Sequence, residues 1–162
     1  MPRNNFDLQA CISGSFSKFK PEIDQLIDDF GDLGVEILEP TKGYIARPHV
    51  LTGIDPRSIN PLPDERGMRE QDIEKRFIAA LKRADFLFLY NKEGYIGPSV
   101  GLELGFADAW KKPIYALEAT VPLEIVDYDL SVKAYIEDRI THLSLESLVA
   151  RERERKYDSM VS

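Results

Sequence analysis

The stretch YIGPSVGLELGFADAW, residues 95–110, carries one carboxylate in its first helical turns, Glu103, among Val100, Leu102, Leu104 and Phe106. On a helix that otherwise reads as core, such a residue is either solvated or part of a site. Its neighbours at i−3, i+3 and i+4 are Val100, Phe106 and Ala107, so the face it shares is apolar. Glu103 lies one turn inside a helix expected to open at Pro98, and the positive end of the helix dipole there favours the ionised form. A partly buried carboxylate beside a sugar's anomeric carbon could act as a nucleophile in glycosyl transfer. It could also stabilise an oxocarbenium-like transition state.

Two glycine-containing loops could bring a ligand to it. In GYIGPS, Gly94 and Gly97 permit a tight turn, and the first free amides of the helix, with the Ser99 hydroxyl, form a cradle for an anion or a sugar hydroxyl. In SGSF, Gly14 allows close backbone approach while Ser13 and Ser15 offer hydroxyls beside Phe16. The same four residues would serve equally as a strand-to-helix turn with Ser15 or Ser17 as N-cap. Tyr44, Tyr90 and Tyr95 lie on or beside these loops, where they could stack on a nucleobase or simply pack as amphipathic aromatics. Neither GxGxxG nor GxxxxGK[ST] occurs in the chain.

Composition narrows the partners. A formal net charge of −7 argues against a general nucleic-acid binder, which needs clustered Lys and Arg on phosphates. A small phosphorylated ligand remains compatible, because backbone amides can bind it locally. The single cysteine, Cys11, allows no disulfide framework or cysteine metal site, and His49 and His142 lack ligand-like spacing, so no metal is implied. No apolar run approaches the ~20 residues of a membrane span, and MPRNNFDLQA lacks the apolar region of a signal peptide. A cytoplasmic protein with no membrane partner is the simplest expectation.

The elements that must position Glu103 follow from periodicity. LQACISG reads as a buried strand, SKFKPEIDQLIDDFGDLG as a helix ended by Gly34, and VEILEP as a second strand ended by Pro40. REQDIEKRFIAALKRA has Ile73, Phe77, Leu81 and Ala84 on one stripe. DFLFLY is apolar on both faces, as a central parallel strand should be, and PIYALE is a fourth strand after the Glu103 helix. This alternation predicts one α/β domain over residues 1–162, with a parallel sheet of four to five strands and helices on both faces. SVKAYIE could be the fifth strand. Residues 143–162 read as a closing charged helix, capped by Ser144, whose RERERK run reads as a solvated face. Residues 40–67 form a long Pro- and Gly-rich loop of the kind that is usually functional. In such sheets ligands sit beyond the carboxyl ends of the strands, at the switch point, which is where SGSF, EPTKGY and YNKEGYIGPS converge.

CISGSF, GVEILEP, ADFLFLYN and above all GYIGPSVGLELGFADAWKKPIYAL resemble the nucleoside 2-deoxyribosyltransferase-like superfamily, which includes deoxynucleoside monophosphate N-glycosidases. The resemblance covers most of residues 8–117. It implies a flavodoxin-like (Rossmann-like) sheet, chemistry at an N-glycosidic bond, a small-molecule nucleoside or nucleotide as partner, no cofactor, and a homo-oligomer. By motif position Glu103 is the catalytic glutamate. The resemblance further implies that Ser15 and Phe16 line the sugar side, that Asn91 stands at the end of the third strand, and that Ser99 sits where the family contacts the sugar or its phosphate.

The sequence departs from the family at two carboxylates. Phe77 stands where the family carries an aspartate in the second helix, and Gly97 where many transferases have a loop aspartate. Unless Asp72, Glu74 or the long loop substitutes, Glu103 lacks proton-transfer help. Simple cleavage is then favoured over transfer, and a catalytically silent nucleotide-sensing module becomes the alternative. A redox flavodoxin fits poorly, because SGSFSKFK lacks the Ser/Thr-dense phosphate loop that flavodoxins carry.

Overall fold

The computed structural model describes residues 5–14, 19–41, 70–90, 92, 94–96, 98–117, 124–125 and 130–162. Within them the order is β1 (Leu8–Ser13), α1 (Lys20–Asp32), β2 (Val35–Glu39), α2 (Glu70–Arg83), β3 (Phe86–Leu89), β4 (Tyr95–Ile96), α3 (Pro98–Ala109), β5 (Ile114–Ala116), β6 (Glu124–Ile125), α4 (Leu130–Arg139), β7 (Ile140–His142) and α5 (Leu145–Val161). Five strands form one sheet in the order β2-β1-β3-β5-β7, and every neighbouring pair is parallel. Counted within that sheet the order is 2-1-3-4-5, that of a flavodoxin-like doubly wound sheet whose switch point lies between β1 and β3. β4 and β6 pair separately as a short two-stranded sheet.

Strand alternation sorts the core into two layers. Leu8, Ala10 and Ile12 of β1, Phe86 and Phe88 of β3 and Tyr115 of β5 pack with Ile23, Leu26 and Phe30 of α1 and Leu148 and Val149 of α5. Cys11, Leu87, Leu89, Ile114 and Ala116 face the other way, against Phe77, Ala80 and Leu81 of α2 and Val100, Leu104 and Ala107 of α3. β3 is buried at all four positions, as a strand covered on both faces must be. The first layer is locked by aromatic contacts, with Phe30 and Phe88 at 5.1 Å between ring centroids and Phe86 and Tyr115 at 5.6 Å, both near-perpendicular.

Pro98 is the first residue of α3, and Gly34 takes a left-handed φ of 83° just beyond α1, as expected of an N1 proline and a C′ glycine. Ser144 accepts the Ser147 amide at 3.2 Å and caps α5. Three expectations change. α1 starts at Lys20 behind Phe19, with no side-chain cap, so neither Ser15 nor Ser17 is its N-cap. SVKAYIE belongs to α4, and the sheet's fifth strand is Ile140–His142. The segment alternates like a strand, yet Val132, Tyr135, Ile136 and Arg139 also fall on one helical stripe. That stripe lies over α3, where the Tyr135 hydroxyl and Arg139 Nε donate to the Asp108 carboxylate at 2.6 and 2.5 Å.

The third change is RERERK, which is no simple solvated face. Glu152 is fully buried, accepts from the Tyr115 hydroxyl at 2.6 Å, and is forked by Arg155 at 2.7–3.1 Å. Arg155 also reaches the Asp85 carbonyl at 3.0 Å, and Lys156 the Asp7 carbonyl and Asp85 carboxylate at 2.9 and 3.3 Å. Arg153 clasps the Asp7 carboxylate at 2.7 and 2.9 Å and donates to the Leu33 carbonyl, holding the Asp7 carboxyl below its ordinary range. A side chain on Gly34 would meet that guanidinium at 2.5 Å. Thus α5 is strapped across the amino edge of β1 and β3.

Removing the Glu152 carboxylate leaves a buried tyrosine hydroxyl and a cation without their partner. Glu152→Ala should cost about 3 kcal/mol, near the low end for a broken buried pair because Arg155 can reach water. Glu154→Ala, on the exposed face, should stay within about 0.5 kcal/mol. Urea unfolding of both variants checks this; equal losses would mean that α5 is held by its apolar residues alone.

Candidate active site

Ser13 is the last residue of β1 and pairs with Leu89 at the end of β3, so it stands at the carboxyl edge of the switch point. It shares the α2/α3 side of the sheet with Cys11, two residues earlier. From there the Ser13 hydroxyl donates to Oε2 of Glu103, and both residues are buried, at 0% and 5% exposure. α3 turns Glu103 inward because Val100, Leu104 and Ala107 hold the same side of the helix in the core, leaving Ser99, Leu102 and Gly105 outside.

A second carboxylate meets the first. Glu74 of α2 sits at i−3 and i−7 from the core residues Phe77 and Leu81, and its carboxyl is in contact with that of Glu103. Glu74 Oε1 is buried with no donor from any described residue. Two facing carboxylates with a lone buried oxygen are satisfied when a proton lies between them, one oxygen donating to the other. The titration directions agree. Burial pushes Glu103 up to about 8, with the Ser13 hydroxyl pulling it down and Glu74 pushing it up. Burial likewise raises Glu74. The more deeply buried Glu103 is therefore the resting proton carrier. This corrects the expectation of an ionised Glu103: a helix N-terminus is worth roughly 0.3–1 kcal/mol, which desolvation of a buried carboxylate outweighs.

Two further groups border the pair. The register between β1 and β2 slips so that Cys11 stands opposite Glu39, which brings the Glu39 carboxylate onto the α2 side. Arg76 Nε donates to it at 2.7 Å, and Glu39 is 5% exposed. The Cys11 thiol lies beneath, pushed up to about 12 by burial with Glu39 and Glu103 adding repulsion, so it is inert as a nucleophile at neutral pH.

Of the residues singled out in the sequence, the structure brings together Glu103 and Ser13. Ser13's hydroxyl is spent on Glu103 rather than presented to a ligand. Gly14 is required by packing, since a Cβ there would stand 2.7 Å from the Tyr90 carbonyl oxygen, where the Tyr90 amide already bonds the Ser13 carbonyl at 2.8 Å. Ser99 is exposed on the first turn of α3. Tyr90 packs edge-on to Phe19 at 5.5 Å. Asp72 lies 3.9 Å from Lys75, while Glu74 is the α2 carboxylate that reaches in. Ser15, Phe16, Tyr44, Asn91 and Gly97 lie outside the described residues. Glu39 and Arg76 were not anticipated, although the position of Glu39 at the carboxyl end of β2 is itself a signal. Among the described residues no cluster of His, Cys, Asp and Glu could hold a metal ion, and no helix is long and apolar enough to cross a membrane. A cavity of about 180 Å³ opens between α3 and α4, its lining including Leu104, Asp108, Val132, Tyr135, Ile136 and Arg139.

No protein-family model matches the chain, and no curated protein does. Among solved structures the chain is similar to a conserved protein from Enterococcus faecalis, at 14% identity with a TM-score of 0.58, covering 91% of this chain and 98% of that one. At that identity the likeness concerns the fold.

A carboxyl raised in this way binds its proton more tightly in the folded than in the unfolded chain. Its contribution to stability is fullest below the ordinary value of 4.5 and is lost as the pH climbs to about 8. Stability should fall across that window with a slope of at most ~1.4 kcal/mol per pH unit. Glu103→Gln should remove the slope and be the more stable protein at pH 8. Urea unfolding against pH checks this, and parallel curves for the two proteins would show that Glu103 is ionised throughout.

Proposed function

We propose that this protein cleaves, or transfers at, the N-glycosidic bond of a nucleoside, a nucleotide or a related base–sugar ligand. The observation that carries the reading is the contact of the buried Glu103 carboxyl with that of the half-buried Glu74, at the carboxyl edge of the switch point. Cleaving such a bond asks for a proton on the departing base and negative charge beside the carbon it leaves. A pair with one proton between two carboxylates supplies both. As the C1′–N bond breaks, its electron pair goes to the base nitrogen and the pair's proton follows. The two carboxylates, then both ionised, face the positive charge growing on the sugar. Glu103 would meet it as a nucleophile or as a stabilising anion. The acceptor, water or a second base, then bonds to C1′ and its proton restores the pair.

Glu74 supports catalysis over silent sensing. The sensing alternative drew on the missing carboxylate at Phe77, and Phe77 is a core residue, 7% exposed. Glu74 stands one turn earlier on the same stripe and, with its longer side chain, reaches the same glutamate.

The test is base release, followed by chromatography, over a panel of nucleosides and nucleoside monophosphates. Glu103→Gln should retain binding, read as ligand protection against thermal unfolding, and lose at least about a thousandfold in turnover. Glu74→Gln should lose roughly a hundredfold or more, most with the poorest leaving bases. Wild-type-like release from Glu103→Gln would end the mechanism. Protection without release from any protein, wild type included, would make the cleft a sensor.

A further inference from the structure

A hydroxyl with no access to solvent rarely stands beside a carboxylate without consequence. Ser13 is the terminal residue of its strand, 0% exposed, its carbonyl taken by the Tyr90 amide at 2.8 Å and its hydroxyl by Glu103 Oε2. Glu103 is reached from β1 by Ser13, from α2 by Glu74, from the floor by the neutral Cys11 thiol, and from β2 at longer range by Glu39, which Arg76 already engages. Each of those neighbours except Ser13 is an acid or engaged by one. The Ser13 hydroxyl is thus the donor that the described groups aim at Glu103.

We infer that Ser13 is a positioning residue of this site: it pins one oxygen of Glu103 against the end of β1 and supplies the hydrogen bond Glu103 needs when it gives up its proton. A protonated Glu103 can do without that bond, because a neutral carboxyl is tolerated in an apolar setting. An ionised Glu103 in the same place cannot, having lost its contact proton and facing Glu74. Because the hydroxyl is already aimed at Oε2, no reorganisation is needed when the charge appears. Pinning one oxygen also leaves the other as the one free to exchange a proton with Glu74 or to face a sugar carbon. The consequence for rate rests on the proposed N-glycosidic chemistry, whereas the consequence for titration does not.

The experiment compares wild type with Ser13→Ala, Ser13→Cys and Ser13→Thr, each carrying carbon-13 in the glutamate side-chain carboxyls. The Glu103 signal is assigned by its absence in Glu103→Gln. Loss of a hydrogen bond to a charged group should move the Glu103 titration upward by about one to two pH units in Ser13→Ala. Ser13→Cys, a weak donor of similar shape, should move it the same way if the alanine variant does not fold, and Ser13→Thr should restore the wild-type midpoint. In base release the descending limb of kcat against pH, on which Glu103 loses the proton the reaction uses, should shift upward with the titration, leaving KM within about threefold, as expected for an interaction used after binding. A Glu103 midpoint that stays put in both Ser13→Ala and Ser13→Cys would overturn the inference, whatever happens to Tm. A midpoint that moves as described, in a set of proteins none of which releases base, upholds Ser13's role in the pair and removes the N-glycosidic reading alone.

Discussion

A buried carboxylate facing a second, half-buried one is tolerable only if the two are not both charged. That constraint organises the carboxyl edge of this protein. Placing unpaired charges in an apolar layer costs several kcal/mol per ion after relaxation. The protein avoids the cost by raising both acids, so that a proton takes the place of a counter-ion. Ser13 moderates the effect with one donor to Glu103, and the nearby Glu39 is handled the opposite way, by an ion pair with Arg76 at 2.7 Å. One carboxylate is thus held charged and paired, while the others share a proton that can leave.

The two edges of the sheet divide the work. At the amino edge Arg153, Arg155 and Lys156 tie α5 to Asp7 and Asp85 through ion pairs and carbonyl contacts, and the buried Glu152 of the same helix, paired with Arg155, accepts from Tyr115 of β5. These bonds carry no unfilled valence, and Asp7 titrates low because Arg153 holds it. The carboxyl edge retains the opposite condition, a buried acid pushed up to about 8 and a neighbouring oxygen lacking a donor. Frustration kept at one edge and relieved at the other is what a site built on a stable scaffold requires, since perturbed acids at functional positions are stabilised by what surrounds them.

How much of this was legible in the sequence depended on whether local pattern or tertiary neighbours decided the outcome. DFLFLY announced a doubly covered strand, and Pro98 and Gly34 marked helix ends, because covalent preference and burial pointed the same way there. Glu103 stood out as a carboxylate on an apolar stripe, and the same reasoning finds Glu74 at three and seven residues before Phe77 and Leu81. The sequence left Glu74 beside Asp72 and the long loop as a candidate second acid, and that stripe is what separates Glu74 from Asp72. The protonation of Glu103 could not be read, because the helix dipole is local while desolvation depends on α2 closing over it. Ser13 was read as a ligand contact for the same reason: nothing in SGSF says that a helix ninety residues later will take the hydroxyl. Glu152 was hidden in a charge run whose other members do reach the surface, and SVKAYIE satisfies strand alternation and helical spacing at once.

The account stands on one proton held between Glu74 and Glu103 in the resting protein. Infrared difference spectroscopy of the carboxyl carbonyl stretch, in ligand-free protein at neutral pH with carbon-13 glutamate to identify the band, observes that proton directly. The account predicts a protonated glutamate band that persists to about pH 8 in the wild type and is absent at neutral pH from Glu103→Gln. The lone remaining acid, Glu74, is less deeply buried and in that variant has no second carboxyl to share a proton with. Wild-type spectra with only ionised glutamate at neutral pH would contradict it.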